Sequence, residues 1–87
     1  MKSIRRSTQF KKDYKPKKSG KNRVELRQVI NKLAIDEHLE PKYRDHALVG
    51  NYSGCRECHL EPDWLLIYKN SNTEIALIRT GSHSELF

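Results

Sequence analysis

Two compact clusters, His59-Leu60-Glu61-Pro62-Asp63-Trp64 and Arg79-Thr80-Gly81-Ser82-His83, set an imidazole close to a carboxylate, an indole or a guanidinium. Together with His46 they place three of the four histidines in the second half of the chain. Imidazole gives or takes a proton near neutral pH, so three in about forty residues, beside an Asp and an Arg, point to proton-transfer chemistry. Cleaving RNA without a metal needs a base for the 2′-hydroxyl proton, an acid for the leaving 5′-oxygen and a cation for the charged phosphorane. His, Asp and Arg supply those roles. Trp64, Tyr68 and Phe87 offer rings on which splayed bases stack, although Trp64 suits a core equally well and Arg79 suits a structural ion pair.

Cys55-Arg56-Glu57-Cys58 has C-x-x-C spacing with His59 next to it. A single pair is a weak zinc motif, and on a strand residues three apart point to opposite faces, so the thiols diverge. The expectation is free thiols, no metal and no cofactor.

These residues need elements to hold them. Lys2 to Ser7 is a short strand candidate, and Thr8 can cap a helix carrying Phe10 and Tyr14 at i, i+4. Pro16 should end or kink that helix, and Ser19-Gly20 makes a turn. From about Asn22 to His38, Leu26, Val29, Ile30 and Leu33 form the stripe of an amphipathic helix, with Lys21, Arg23, Arg27 and Lys32 outward. After Pro41 three strands follow, Cys55 to Leu60, Trp64 to Lys69 and Glu74 to Thr80, separated by Glu61-Pro62-Asp63 and Asn70-Ser71-Asn72. The first carries Cys55, Glu57 and His59 on one face and Arg56, Cys58 and Leu60 on the other, and its hairpin returns Asp63 and Trp64 towards His59. The fold class is α+β: two helices on one face of an antiparallel meander, with the other face open for the site.

Eighty-seven residues with 36% hydrophobic and 32% charged content describe one small globular domain, 1–87, whose active site must be shallow. The net charge of +6 is unevenly spread. Residues 1–44 hold 14 Lys/Arg against 5 Asp/Glu, whereas residues 45–87 hold 3 against 6. A basic N-terminal half fits docking on ribosomal RNA, and a solvated lysine surface, as in the run from Lys15 to Lys21, is the plainer account. No segment has the length of a membrane span or the apolar core of a signal peptide, so the expected location is cytoplasmic.

Tyr43-Arg44-Asp45-His46-Ala47-Leu48-Val49-Gly50, then His59 through Tyr68, then Arg79 through Phe87 closely resemble the YafQ branch of the RelE/ParE toxin superfamily. Pro16, Cys55 and Cys58 depart from the family pattern without removing a motif residue. The resemblance implies a RelE-like fold, an N-terminal strand and two helices packed on a curved antiparallel sheet. It also implies the toxin of a type II toxin–antitoxin pair, a ribosome-dependent mRNA endoribonuclease neutralised by a cognate antitoxin. By position it makes His46, His59, Asp63 and His83 the catalytic set, with Trp64, Arg79 and Phe87 binding substrate. His83 is then the general acid, Asp63 or His46 the base, and His59 and Arg79 the phosphate stabilisers. The ParE branch, which inhibits DNA gyrase without cleavage, shares the fold and is the alternative; it has no need of the histidines. A Cys/His metal module is a further one.

Overall fold

The computed structural model of the chain describes residues 1–15 and 20–87. The expected helix stop at Pro16, the turn at Ser19 and the outward face of Lys21 lie outside the described residues. Strands β1 (Ser3–Arg6), β2 (His46–Ala47), β3 (Arg56–Glu61), β4 (Trp64–Asn70) and β5 (Glu74–Gly81) form one sheet in the order β1-β5-β4-β3-β2. Helices α1 (Thr8–Tyr14) and α2 (Gly20–Ala34) lie between β1 and β2 in the chain, and α3 (His83–Leu86) follows β5. The meander β3-β4-β5 is antiparallel as expected, and β1 joins it parallel to β5, with Ser3 opposite Glu74.

Local chemistry explains the element ends. Ser7, not Thr8, caps α1: its hydroxyl accepts from the Phe10 amide at 2.9 Å and donates to the Ile78 carbonyl at 2.7 Å. The residue one position earlier wins because it bonds the helix and β5 at once. Helix α2 stops at Ala34 rather than at His38. Asp36 is left-handed (φ 59°), its amide donates to the Leu33 carbonyl and that of Glu37 to the Lys32 carbonyl. This is a Schellman end, formed with Asp where glycine is commoner.

Period-two alternation sorts the strands into two layers. Cys58, Leu60, Trp64, Leu66, Tyr68, Ile75 and Leu77 pack with Phe10 of α1 and with Leu26, Val29 and Leu33 of α2. On the other face Leu65, Ile67 and Leu86 gather with the partly buried Leu48, Tyr52, Cys55 and Ile78. That second face is therefore not open as expected. Helix α3 and the turn Gly50–Tyr52 cover it, because Leu65 and Ile67 present apolar side chains that would otherwise meet water. Among the described residues, no helix is long and apolar enough to cross a membrane.

Candidate active site

Three short segments bring the histidines together. His46 sits on the two-residue edge strand β2, opposite Glu57 in the antiparallel pairing with β3. Its neighbour Asp45 holds the segment down, accepting from the Tyr68 hydroxyl at 2.8 Å and from Arg56 Nε at 3.1 Å. His59 lies on β3, on the face away from the main core. The hairpin turn Pro62-Asp63 then leads back into β4. His83 is the first residue of α3, capped by Ser82, whose hydroxyl accepts from the Glu85 amide while the Glu85 carboxylate accepts from the Ser82 amide.

The imidazole rings form a row. His46 and His59 have centroids 6.2 Å apart, and His59 and His83 5.6 Å apart. One end of the row is fixed by Asp63, whose Oδ1 accepts from both the His83 amide (3.0 Å) and His83 Nδ1 (2.8 Å). The first of these bonds satisfies one of the unpaired N–H groups at the start of α3. Those two donors, the amide first, hold the Asp63 carboxyl below its ordinary range. At the other end His46 Nδ1 is 2.8 Å from the Arg44 carbonyl. A carbonyl only accepts, so this contact requires a proton on Nδ1 and leaves the Nε2 lone pair free. Arg44 aims its carbonyl this way from a left-handed conformation, φ 48°.

Glu57 is the residue that sequence reasoning left out of the site. It is 4% exposed and lies 3.8 Å from His59 Nε2. An acidic side chain is seldom this buried without a partner, and the nearby His59 makes Glu57 a candidate member of the site. The signal was available: Glu57 stands two residues before His59 and so shares its face. His59 Nδ1 is also buried, with no hydrogen-bond partner among the described residues. Glu57, His59 and His83 each offer one ligand atom, all within 4.8 Å of one another, a His₂Glu set of the kind that suits zinc or copper.

The expected substrate-binding residues are placed differently. Trp64 is 4% exposed and packs in the main core with Leu66 and Tyr68, so its ring offers no accessible stacking face. Arg79 donates through Nε and Nη2 to the Asp13 carboxylate, each at 3.0 Å, and none of its hydrogen bonds reaches a histidine. Burial alone would raise Asp13, but the Arg79, Gln9 and Thr80 donors outweigh it and hold the carboxyl below its ordinary range. Phe87 is exposed and meets Tyr52 edge-on at 5.7 Å, at the end of α3. The two thiols diverge as expected. Cys58 is wholly buried in the main core and Cys55 belongs to the other layer, so no Cys₂His set is assembled.

The row of rings can move a proton in at one end and out at the other. A cavity of about 690 Å³ opens beside it, walled by Lys42, Arg44, His59, Glu61 and Asp63.

Comparison with known proteins places the chain in a family. Residues 2–87 match the family model described as the bacterial toxin of type II toxin–antitoxin systems, YafQ. The mRNA interferase toxin YafQ of Escherichia coli K12 is 38% identical over 86 residues, covering 97% of this chain and 94% of that protein. The E. coli DinJ–YafQ complex superposes with a TM-score of 0.88 at 37% identity, over 100% of this chain and 99% of that one. A metal-bound toxin from Helicobacter pylori superposes with a TM-score of 0.90 at 44% identity over the whole of both chains. With the family model spanning all but the first residue and the fold agreeing along the full chain, this protein belongs to the YafQ family of type II toxin–antitoxin toxins.

Proposed function

We propose that this chain is a ribosome-dependent mRNA endoribonuclease that works without a metal and is neutralised by a cognate antitoxin. The observation that carries the reading is the row His46–His59–His83 with its two outer rings held by opposite kinds of partner. His46, with its Nδ1 proton given to the Arg44 carbonyl, presents the Nε2 lone pair as the base for the 2′-hydroxyl. His83, its Nδ1 bonded to the Asp63 carboxylate, is oriented to serve as the acid that protonates the leaving 5′-oxygen. The 2′-oxygen bonds to phosphorus as the P–O5′ bond breaks, giving a 2′,3′-cyclic phosphate and a free 5′-hydroxyl. His59, between the two, donates to the phosphorane oxygens. Asp63 is thereby a positioning group, and the base is His46. One relative supports both the substrate and the partner: YafQ of Escherichia coli is named an mRNA interferase toxin, and it forms a complex with DinJ. The net charge of +6 favours a phosphate-rich surface such as ribosomal RNA, and action on the ribosome makes the protein cytoplasmic.

Induction of the wild type beside His83→Ala and His46→Ala, with primer extension on a translated reporter, tests this. Cleavage within codons by the wild type, reduced about 10²–10⁴-fold in each variant, supports it. Growth arrest by all three with intact message would move the chain to the ParE-like, non-cleaving alternative.

One observation favours a second reading of the same groups. Glu57, His59 and His83 converge closely enough to hold a divalent ion, and a relative with the same fold is metal-bound. An ion there would take His59 and His83 out of proton transfer, so metal would inhibit. Cleavage that survives EDTA and falls on titration with Zn²⁺ or Cu²⁺ joins both readings, and cleavage lost in EDTA would overturn metal independence.

A further inference from the structure

We propose that Tyr68 and Asp45 are positioning residues for His46, fixing the turn at Arg44 whose carbonyl holds the His46 Nδ1 proton and so leaves Nε2 as the base. This rests on the reading of His46 as the base given above, and names what sets its orientation.

His46 has little strand of its own. β2 is two residues long, with His46 opposite Glu57 and Ala47 opposite Arg56. So short an edge does not by itself keep an exposed ring in one orientation. The orientation comes from the residues before it. Arg44 is left-handed, φ 48°, a conformation that a residue with a side chain keeps only where its surroundings over-determine it.

Pins stand on both sides of that turn. Before it, Tyr43 is buried and its hydroxyl donates to Glu25 Oε1 on α2 at 2.7 Å. After it, the Asp45 carboxylate receives the Tyr68 hydroxyl, 2.9 Å from Oδ1 and 2.8 Å from Oδ2, and Arg56 Nε, 3.1 Å from Oδ1. Arg56 reaches Asp45 through a flexible side chain that is 41% exposed. Tyr68 is the fixed point.

The type of Tyr68 suits a stacking ring, yet it is 1% exposed and packs in the main core from β4. A ring enclosed in this way holds its hydroxyl in place, and the hydroxyl needs a partner. Burial first, then the bond to Asp45, push that hydroxyl well above its ordinary pKa, so it stays protonated and donates. The path from core to base then has three links: the Tyr68 hydroxyl to Asp45, the backbone from Asp45 to its neighbours, and the Arg44 carbonyl to His46 Nδ1 at 2.8 Å. If the carbonyl shifts, the ring can turn or carry its proton on Nε2, where no lone pair remains to act as base.

The test compares the full-length wild type with Tyr68→Phe, Asp45→Ala, Asp45→Asn and His46→Ala. Single-turnover cleavage of message on programmed ribosomes, at saturating toxin, should slow by about tenfold to 10²-fold in Tyr68→Phe and Asp45→Ala, with ribosome affinity unchanged. Asp45→Asn, whose amide oxygen still accepts from Tyr68, should recover most of that loss. With the rings neutral, the nitrogen chemical shifts of His46 should report the Nδ1–H form in wild type and Asp45→Asn. They should report a mixture with the Nε2–H form in Tyr68→Phe and Asp45→Ala, while the His83 shifts stay in place. A bond that serves stability alone would lower the melting temperature and leave the His46 shifts as they are. That result, or wild-type cleavage in both variants, overturns the proposal. Should Tyr68→Phe disturb the core and move the His83 shifts as well, Asp45→Ala decides by the same two readouts. Wild-type cleavage by His46→Ala removes the reading of His46 as base and this inference with it. Cleavage lost in His46→Ala but kept in Tyr68→Phe and Asp45→Ala overturns the positioning role alone.

Discussion

Asp63 and His83 are joined by two hydrogen bonds, and the cheapest change that separates geometry from charge is Asp63→Asn. The amide oxygen can still accept from the His83 amide, but the side chain no longer opposes the charge on the ring. Cleavage should fall by about 10²-fold with the melting temperature little changed, since Asp63 is an exposed turn residue. The carboxyl is held below its ordinary range, so its bond to His83 is complete above that range and is lost only as pH falls through the depressed value. From pH 5 to 8 the Asp63 carboxylate and its bonds to His83 are therefore unchanged. A rate profile of wild type and Asp63→Asn from pH 5 to 8 checks both statements. At this scale the sequence was legible where chemistry is scarce. Histidines stand out in a lysine-rich chain, and all three of those singled out meet. Glu57 was not recognised because carboxylates are common and only burial distinguishes this one. Trp64 and Arg79 were ambiguous by type, and only packing decides between a stacking surface and a core, or between a phosphate and Asp13.

Two of the three histidines sit on very short elements, His46 on β2 with two residues and His83 on α3 with four. Neither was legible. Two residues show no period, and α3 is held by its caps and by Leu86 rather than by a stripe. The long elements behaved as patterning dictates. α2 and the three meander strands appear where the apolar periods place them, with ends shifted by capping that hydrophobicity does not encode. Two predictions belong here. Ser7→Ala removes the α1 cap and the bond to Ile78, and should cost about 1–2 kcal/mol in chemical denaturation. Asp13 ties α1 to Arg79 and to the Thr80 amide on β5 with its carboxyl held low. That contribution is present above the ordinary carboxylate range and disappears as pH falls through the depressed value. Asp13→Asn should accordingly be less stable than wild type at pH 7, with the gap closing at an acid pH beneath that depressed value. Urea midpoints at the two pH values measure it.

For the molecule as a whole, the two cysteines are reporters placed in different layers. Cys58 is wholly buried in the main core, where burial first, then Asp45 and Glu57, push its thiol far above the ordinary value. Labelling of native protein with a thiol reagent should modify Cys55 first, and Cys58 should react only as fast as the domain unfolds globally. Equal rates at the two would mean that the main core opens on its own.

The pairing of β1 with β5 has a temporal consequence as well. Ser3 is made about seventy residues before its partner Glu74, so β1 cannot join the sheet until β5 has been synthesised. His83 emerges later still. If His83 is the acid, as proposed above, a nascent chain that has not yet reached His83 has no proton donor, so any cleavage must come from copies in which that residue has been made and folded.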